Sequence, residues 1–152
     1  MKKNKSFAGY INLKPVNGVI FPSSIQNIIM KDYVTSQLKG KFFLSPTEVL
    51  QAKYSITLNT LMSNDVKVRG IVMLSTFMLP RKHDERLTIY SNSIKRKKEL
   101  HFILDEMVLK NKTDLEEIEN QLIFRNNFFT KTRLKLSNFE KSLIKNYQNS
   151  FV

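Results

Sequence analysis

Short apolar runs alternate along this chain with longer stretches of helical period, and that alternation predicts an α/β domain. From Ser6 to Leu13 the run holding Phe7, Tyr10, Ile11 and Leu13 suits a buried strand. Lys14-Pro15 ends it, because proline removes a ladder donor and restricts the residue before it, and Asn17-Gly18 predicts a turn. Ser23 and Gln26 have capping-box spacing. Ile25, Ile28, Ile29 and Tyr33 then recur at helical intervals and predict one apolar face. A stop is expected at Lys39-Gly40, since glycine suits the residue after a helix. Phe42, Phe43 and Leu44 make a second strand, and Ser45-Pro46-Thr47-Glu48 a loop or helix start.

Tyr54, Leu58, Leu61 and Met62 mark the inner face of a second helix. Val68 to Leu74 is nearly all apolar, the pattern of a central parallel strand covered on both faces. The third helix buries Leu87, Tyr90 and Ile94, with Asp84 and Glu85 at its positive end. Lys95-Arg96-Lys97-Lys98 sits at its negative end and reads as a surface turn compensating the dipole rather than a phosphate patch. Leu100 to Leu104 is a fourth strand and Met107 to Leu109 a short fifth. Thr113 and Glu116 open a helix running to about Phe124. Ser137 and Glu140 open another, with Phe139, Leu143, Ile144 and Tyr147 on one side. The expectation is a single open, mostly parallel sheet of four to five strands, with right-handed crossovers and helices on both faces. A boundary near Arg125-Asn126-Asn127 separates an α/β domain, 1–124, from a basic helical C-terminal extension, 125–152.

Composition narrows the chemistry. At 152 residues the chain suits one domain with a continuous core. It has no cysteine, which removes disulfides, thiolate nucleophiles and Cys-ligated metals, and two histidines (His83 and His101) are too few for a His-rich metal site. No cofactor is expected. No apolar run approaches the roughly 18–20 residues of a membrane span. The basic start, Met1-Lys2-Lys3, is followed too soon by Asn12, Lys14 and Asn17 for a signal peptide, so a cytoplasmic location is expected. Lys and Arg number 25 against 13 Asp and Glu, a formal +12. That invites a polyanionic partner, but lysine is spread through the whole chain, which favours a solvated surface.

In an open parallel sheet, ligands bind outside the carboxyl ends of the strands. Those ends offer Asn12, Lys14 and Asn17, then Ser45, Thr47 and Glu48, then Ser75 with Arg81 and Arg86 nearby, then Asp105 and Glu106. Lys14 and the arginines suit a phosphate or carboxylate, and Glu48 or Glu106 suits a general base if desolvated. Gln26 and Asn27 join the ligand-binding candidates from a polar first helical turn, where capping also accounts for them. His101 lies in an apolar run and reads as a satisfied core histidine. No glycine-rich phosphate loop, nucleophile elbow or RNA-binding signature is present, so the residues alone specify no reaction.

Two resemblances add to this reading. Gly9-Tyr10-Ile11, Lys14-Pro15, Asn17-Gly18, Pro22, Gln26-Asn27 and Lys31-Asp32-Tyr33 resemble the sporadic carbohydrate cluster proteins of bacterial surface-polysaccharide gene clusters. So do Leu44-Ser45, Thr47-Glu48, Gly70-Ile71-Val72, Ser75, Phe77-Met78-Leu79-Pro80, Arg86, His101-Phe102 and Glu106. Lys14 stands where that family often has arginine, and Val49 where it often has tyrosine. This resemblance implies a role in surface-carbohydrate biosynthesis and, as partner, a sugar phosphate or nucleotide-sugar. More distantly, the order of strands and helices is similar to serine recombinase catalytic domains. Those end their first strand in an arginine and a nucleophilic serine, where this chain has Asn12 and Lys14. That likeness implies a related fold without the activity. Beside the glycan-assembly reading stand a non-catalytic nucleic-acid-binding module and a homo-oligomeric scaffold joined through the C-terminal helix.

Overall fold

A computed structural model of the chain describes residues 5–44, 46–48 and 55–128. Five strands form one sheet in the order β2-β1-β3-β4-β5: β1 Ser6–Gly9, β2 Lys41–Phe43, β3 Gly70–Met73, β4 Glu99–Phe102 and β5 Met107–Leu109. The first four are parallel and β5 returns antiparallel to β4. This is the open, mostly parallel α/β sheet that the alternation predicts. The helices that join the parallel strands are α1 Ser23–Asp32, α2 Ile56–Met62 and α3 His83–Lys95. Since β1 connects leftward to β2 and β2 then crosses rightward to β3, right-handed crossovers put α1 on one face and α2 and α3 on the other. Every residue of β3 is buried, as a central strand covered on both sides must be.

The chain divides into two compact units, Met1–Ile118 and Glu119–Val152. The first holds a core of Phe7, Tyr10, Met30, Ile71, Met73, Leu74, Tyr90, Leu100 and Phe102 with their neighbours. In the second, the described residues, 119–128, are helical. The predicted helix at Ser137, its apolar stripe, Ser45 and Tyr54 lie outside the described residues.

Local chemistry refines the sequence expectation at one turn and departs from it at three other places. Asn17 and Gly18 both take positive φ (52° and 82°) in a two-residue hairpin closed by mutual hydrogen bonds between Val16 and Val19. The expected turn is thus a hairpin of the type that needs two left-handed residues. Helix α1 shows the largest difference. Its buried residues are Gln26 and Met30, while Ile25 and Ile28 are 42% and 64% exposed. No side chain caps its first turn, so the Ser23–Gln26 capping box does not form. Burial of a hydrogen-bonded glutamine rotates the helix away from the apolar face that periodicity suggests.

After α1 the chain makes a π turn, Tyr33–Gln37, and it is Lys39 rather than Gly40 that takes positive φ, 51°. Gly40 is needed for close approach instead, because a Cβ there would lie 2.5 Å from the Lys5 carbonyl oxygen. Near residue 112 the capping pair is shifted by two. The Asn111 side chain accepts from the amides of Thr113 and Asp114, and the Asp114 carboxylate accepts from those of Lys110 and Asn111.

Helix α2 has only seven residues, too few to hold itself together by backbone bonds alone. Both ends are held from elsewhere in the chain. The Glu48 carboxylate accepts from the amides of Thr57 (3.1 Å) and Leu58 (3.2 Å). At the other end Lys98 Nζ donates to the carbonyls of Leu61, Ser63 and Val66, and Arg96 donates to that of Met62. The basic run after α3 therefore compensates the negative end of α2 as well as ending its own helix. Ser93 Oγ donates a short bond to the Lys98 carbonyl and fixes the turn.

Candidate functional site

The order β2-β1-β3 makes a topological switch point between β1 and β3, so the loops leaving those strands form the crevice where such folds hold ligands. Tyr10 follows β1 and still pairs with β3 through its amide, which donates to the Val72 carbonyl. Ile11 forms a parallel bridge with Thr47 and its carbonyl accepts from the Glu48 amide, which brings the segment after β2 alongside. Asn12, Gln26, Glu48 and Tyr10 thus meet in one buried cluster, each 6% exposed or less.

The hydrogen bonds within it are mutual. Tyr10 Oη donates to Glu48 Oε2 at 3.0 Å and accepts from Asn12 Nδ2 at 3.0 Å. Gln26 Nε2 donates to the carbonyls of Asn12 and Phe21, while its Oε1 accepts from the Asn12 amide. Asn12 Oδ1 accepts from the Lys14 amide. Burial pushes the Tyr10 hydroxyl far above the ordinary tyrosine range, and the Glu48 charge adds to that. Tyr10 therefore stays protonated. With its carboxylate committed to the amides of α2 and to Tyr10, Glu48 is a capping group at the place where a general base is expected.

Three of the expected ligand-binding residues converge on one backbone segment. Asn12 Nδ2 donates to the Met78 carbonyl (3.3 Å) and Lys14 Nζ to that of Leu79 (3.0 Å). Arg86 Nη1 donates to Pro80 (3.1 Å) and Arg81 (2.6 Å). Four successive carbonyls between β3 and α3 are thereby held by polar side chains. Burial lowers the pKa of the Lys14 ammonium, the nearby Arg81 charge lowers it further, and Glu48 and Glu85 oppose both.

A second cluster lies after β3 and β4. Ser75, fully buried, donates to the Asp105 carboxylate at 3.0 Å and caps the 3₁₀ turn Thr76–Met78 by accepting from the Phe77 amide. Asp105 also accepts from the Thr76 amide at 2.6 Å. Glu106 is exposed in the β4–β5 turn with φ 54°, and Asn17 and Arg81 are exposed too. Thr47 is half-buried beside Ile11, and Asn27 is half-buried on α1 with its Oδ1 buried and unbonded.

His101, 2% exposed, meets the core expectation: Nε2 contacts Glu99 at 3.0 Å, Nδ1 contacts Tyr33 Oη at 3.1 Å, and Phe7 packs edge-on. Burial outweighs the Glu99 contact and lowers its pKa. For Glu99 burial acts upward, but hydrogen bonds from Arg69 and His101 carry its pKa below the usual value. Among the described residues no cluster of acidic or histidine side chains suits a metal ion, and no helix is long and apolar enough to cross a membrane.

Tyr10 and Asp105 are the members of these clusters that pattern reading underweights. Tyr10 lies in an apolar run and reads as core, although a buried phenol requires a hydrogen-bond partner, and that is the signal it carries.

No protein-family model matches the chain, and no curated protein does. Among solved structures it is similar to the N-terminal catalytic domain of TP901-1 integrase, at TM-score 0.59 and 12% sequence identity, over 84% of this chain and 98% of that domain. The recombinase-like fold expected from the order of elements is the fold the chain adopts. Nothing in these comparisons supports a carbohydrate setting.

Proposed function

We propose that this chain is a nucleic-acid-binding module that keeps a recombinase-type domain and has no strand-transfer chemistry. The observation that carries the reading is the state of Asn12. Lys14 stands where the resemblance to serine recombinases calls for the nucleophilic serine, and Asn12 where it calls for an arginine. Asn12 is an amide, 2% exposed, bonded to Tyr10, Gln26, Met78 and the Lys14 backbone. A buried neutral amide carries no charge to hold a phosphate as that arginine would, and Lys14, its ammonium donating to the Leu79 carbonyl, offers no hydroxyl to attack phosphorus. Lys14 and Arg86 hold loop carbonyls beside Asn12, which gives a glycan-assembly reading less support than their residue types alone would lend it. The formal +12 supplies the attraction to a polyanion.

Binding of this kind is electrostatic, so its affinity falls steeply with salt. Gel-shift titrations with duplex DNA and with RNA should give micromolar-range binding, weakening by at least about tenfold between about 50 and 200 mM salt. No shift of either nucleic acid at the lower salt overturns the binding reading. Supercoiled plasmid incubated with the protein should remain unrelaxed and free of covalent protein. A covalent adduct that survives denaturant would instead make the protein an enzyme.

A further inference from the structure

The loops entering β3 and β4 lie at the opposite edge of the sheet from the cluster around Asn12, one strand length away, roughly 10–13 Å for four residues. Between them opens a cleft of about 810 Å³ lined by Asn64, Val66, Val68 and five cations: Lys67, Arg69, Arg96, Lys97 and Lys98. Arg69 is paired with a carboxylate, Glu99, at 2.9 Å. Arg96 and Lys98 donate to neutral carbonyls at the end of α2, which orients them and leaves their charge in place. The ammonium of Lys98 has its pKa lowered first by burial and then by the charges of Arg96 and Lys67. These cations therefore repel one another, and an anion seated among them relieves that repulsion.

We propose that this cleft, with Lys67, Arg69, Arg96 and Lys97 at its rim, is the surface that receives the phosphodiester backbone of the nucleic acid. The proposal rests on the binding reading above and assigns it a place. The lining chooses the kind of contact. It holds no aromatic ring on which a base can stack, and its apolar residues are two valines. Recognition there is of backbone phosphates and independent of sequence. Lys67 and Lys97 are exposed, and Lys97 is held at φ 54° between two residues anchored to the end of α2. The fold thus presents Lys97 from a fixed base.

The test is fluorescence anisotropy of labelled duplex DNA with the full chain, Lys67→Glu/Lys97→Glu, and a control of equal charge change, Lys31→Glu/Lys82→Glu. Both control lysines are exposed and neither lines the cleft. The cleft variant should bind at least about tenfold more weakly than the control and lower the salt slope by about two, one for each phosphate no longer neutralised. Lys67→Arg/Lys97→Arg should bind like the parent. Lys67→Gln/Lys97→Gln, which should fall between parent and charge reversal, serves if the Glu pair perturbs folding. Equal losses in cleft and control variants, with the parent binding well, overturn the assignment of this surface and leave the binding reading standing. A parent that binds no nucleic acid removes both.

Discussion

Gln26 holds a polar amide at a position without solvent exposure, on a helix whose isoleucines at 25 and 28 face outward. Its three bonds, to the Asn12 amide and to the carbonyls of Asn12 and Phe21, tie α1 to the loop after β1. Replacing Gln26 with Leu keeps the volume and strands those groups, so urea denaturation should show a loss of about 2–4 kcal/mol. Ile28→Ser should stay within about 0.5 kcal/mol. The opposite ranking would mean that the apolar periodicity, not the hydrogen bonds, sets the helix face. His101 makes a second prediction. Its folded pKa lies below the ordinary 6.5, so as pH falls through that value the unfolded chain takes up a proton that the native one resists. Stability is full above about pH 6.5 and is lost as pH falls toward the folded pKa. Glu99, lowered from 4.5, adds a loss of the same sign at more acid pH. Denaturation midpoints should thus drop between about pH 7 and 5, and His101→Gln should flatten that part of the curve.

Helix α2 depends on side chains brought from distant segments. Glu48→Ala removes its N-terminal cap, and Lys98→Met removes three bonds from its C-terminal end. Each should cost about 2–3 kcal/mol. Because both act on the same seven residues, the double variant should lose less than the sum. Amide hydrogen exchange at residues 57–62 should quicken in each single variant, and unchanged protection there would refute the capping role. A different constraint acts where β3 meets β4. A Cβ on Gly70 would lie 2.7 Å from the Glu99 carbonyl oxygen, so Gly70→Ala should cost about 2–3 kcal/mol. Gly18→Ala meets open space and only a strained φ of 82°, for about 1 kcal/mol. Thermal melts of the two variants test that order.

At the scale of the whole molecule, the strand order puts two kinds of polar chemistry at opposite edges of the sheet. The carboxyl edge around Tyr10, Asn12, Gln26 and Glu48 is closed by internal bonds. The amino edge of β3 and β4 is open and cationic. Likeness to an integrase catalytic domain extends over 84% of the chain and concerns the fold. An internally bonded strand-end cluster beside an open cationic cleft is what the proposed reading, attraction to a polyanion without a reaction on it, requires. A linear fall of log affinity with log salt in the parent, and a shallower one after replacement of Lys67 and Lys97, is the whole-molecule signature.

The five strands and the three helices between them are legible in the chain because apolar period is a local property, and the buried run at β3 needs no partner to be read. The strand-end loops are legible for the same reason, which is why Asn12, Lys14, Glu48, Ser75 and Arg86 all stand out. Their roles are not. Glu48 lies 38 residues from Tyr10 and 10 from Leu58, and Lys14 lies 65 from the Leu79 carbonyl. Whether a carboxylate is a base or a cap, and whether an ammonium awaits a phosphate or holds a loop, depends on partners that only the tertiary fold supplies. The same holds for the run from Lys95 to Lys98. As sequence it is a charged turn, and only when Lys67 and Arg69 come beside it across the sheet does it border a cleft.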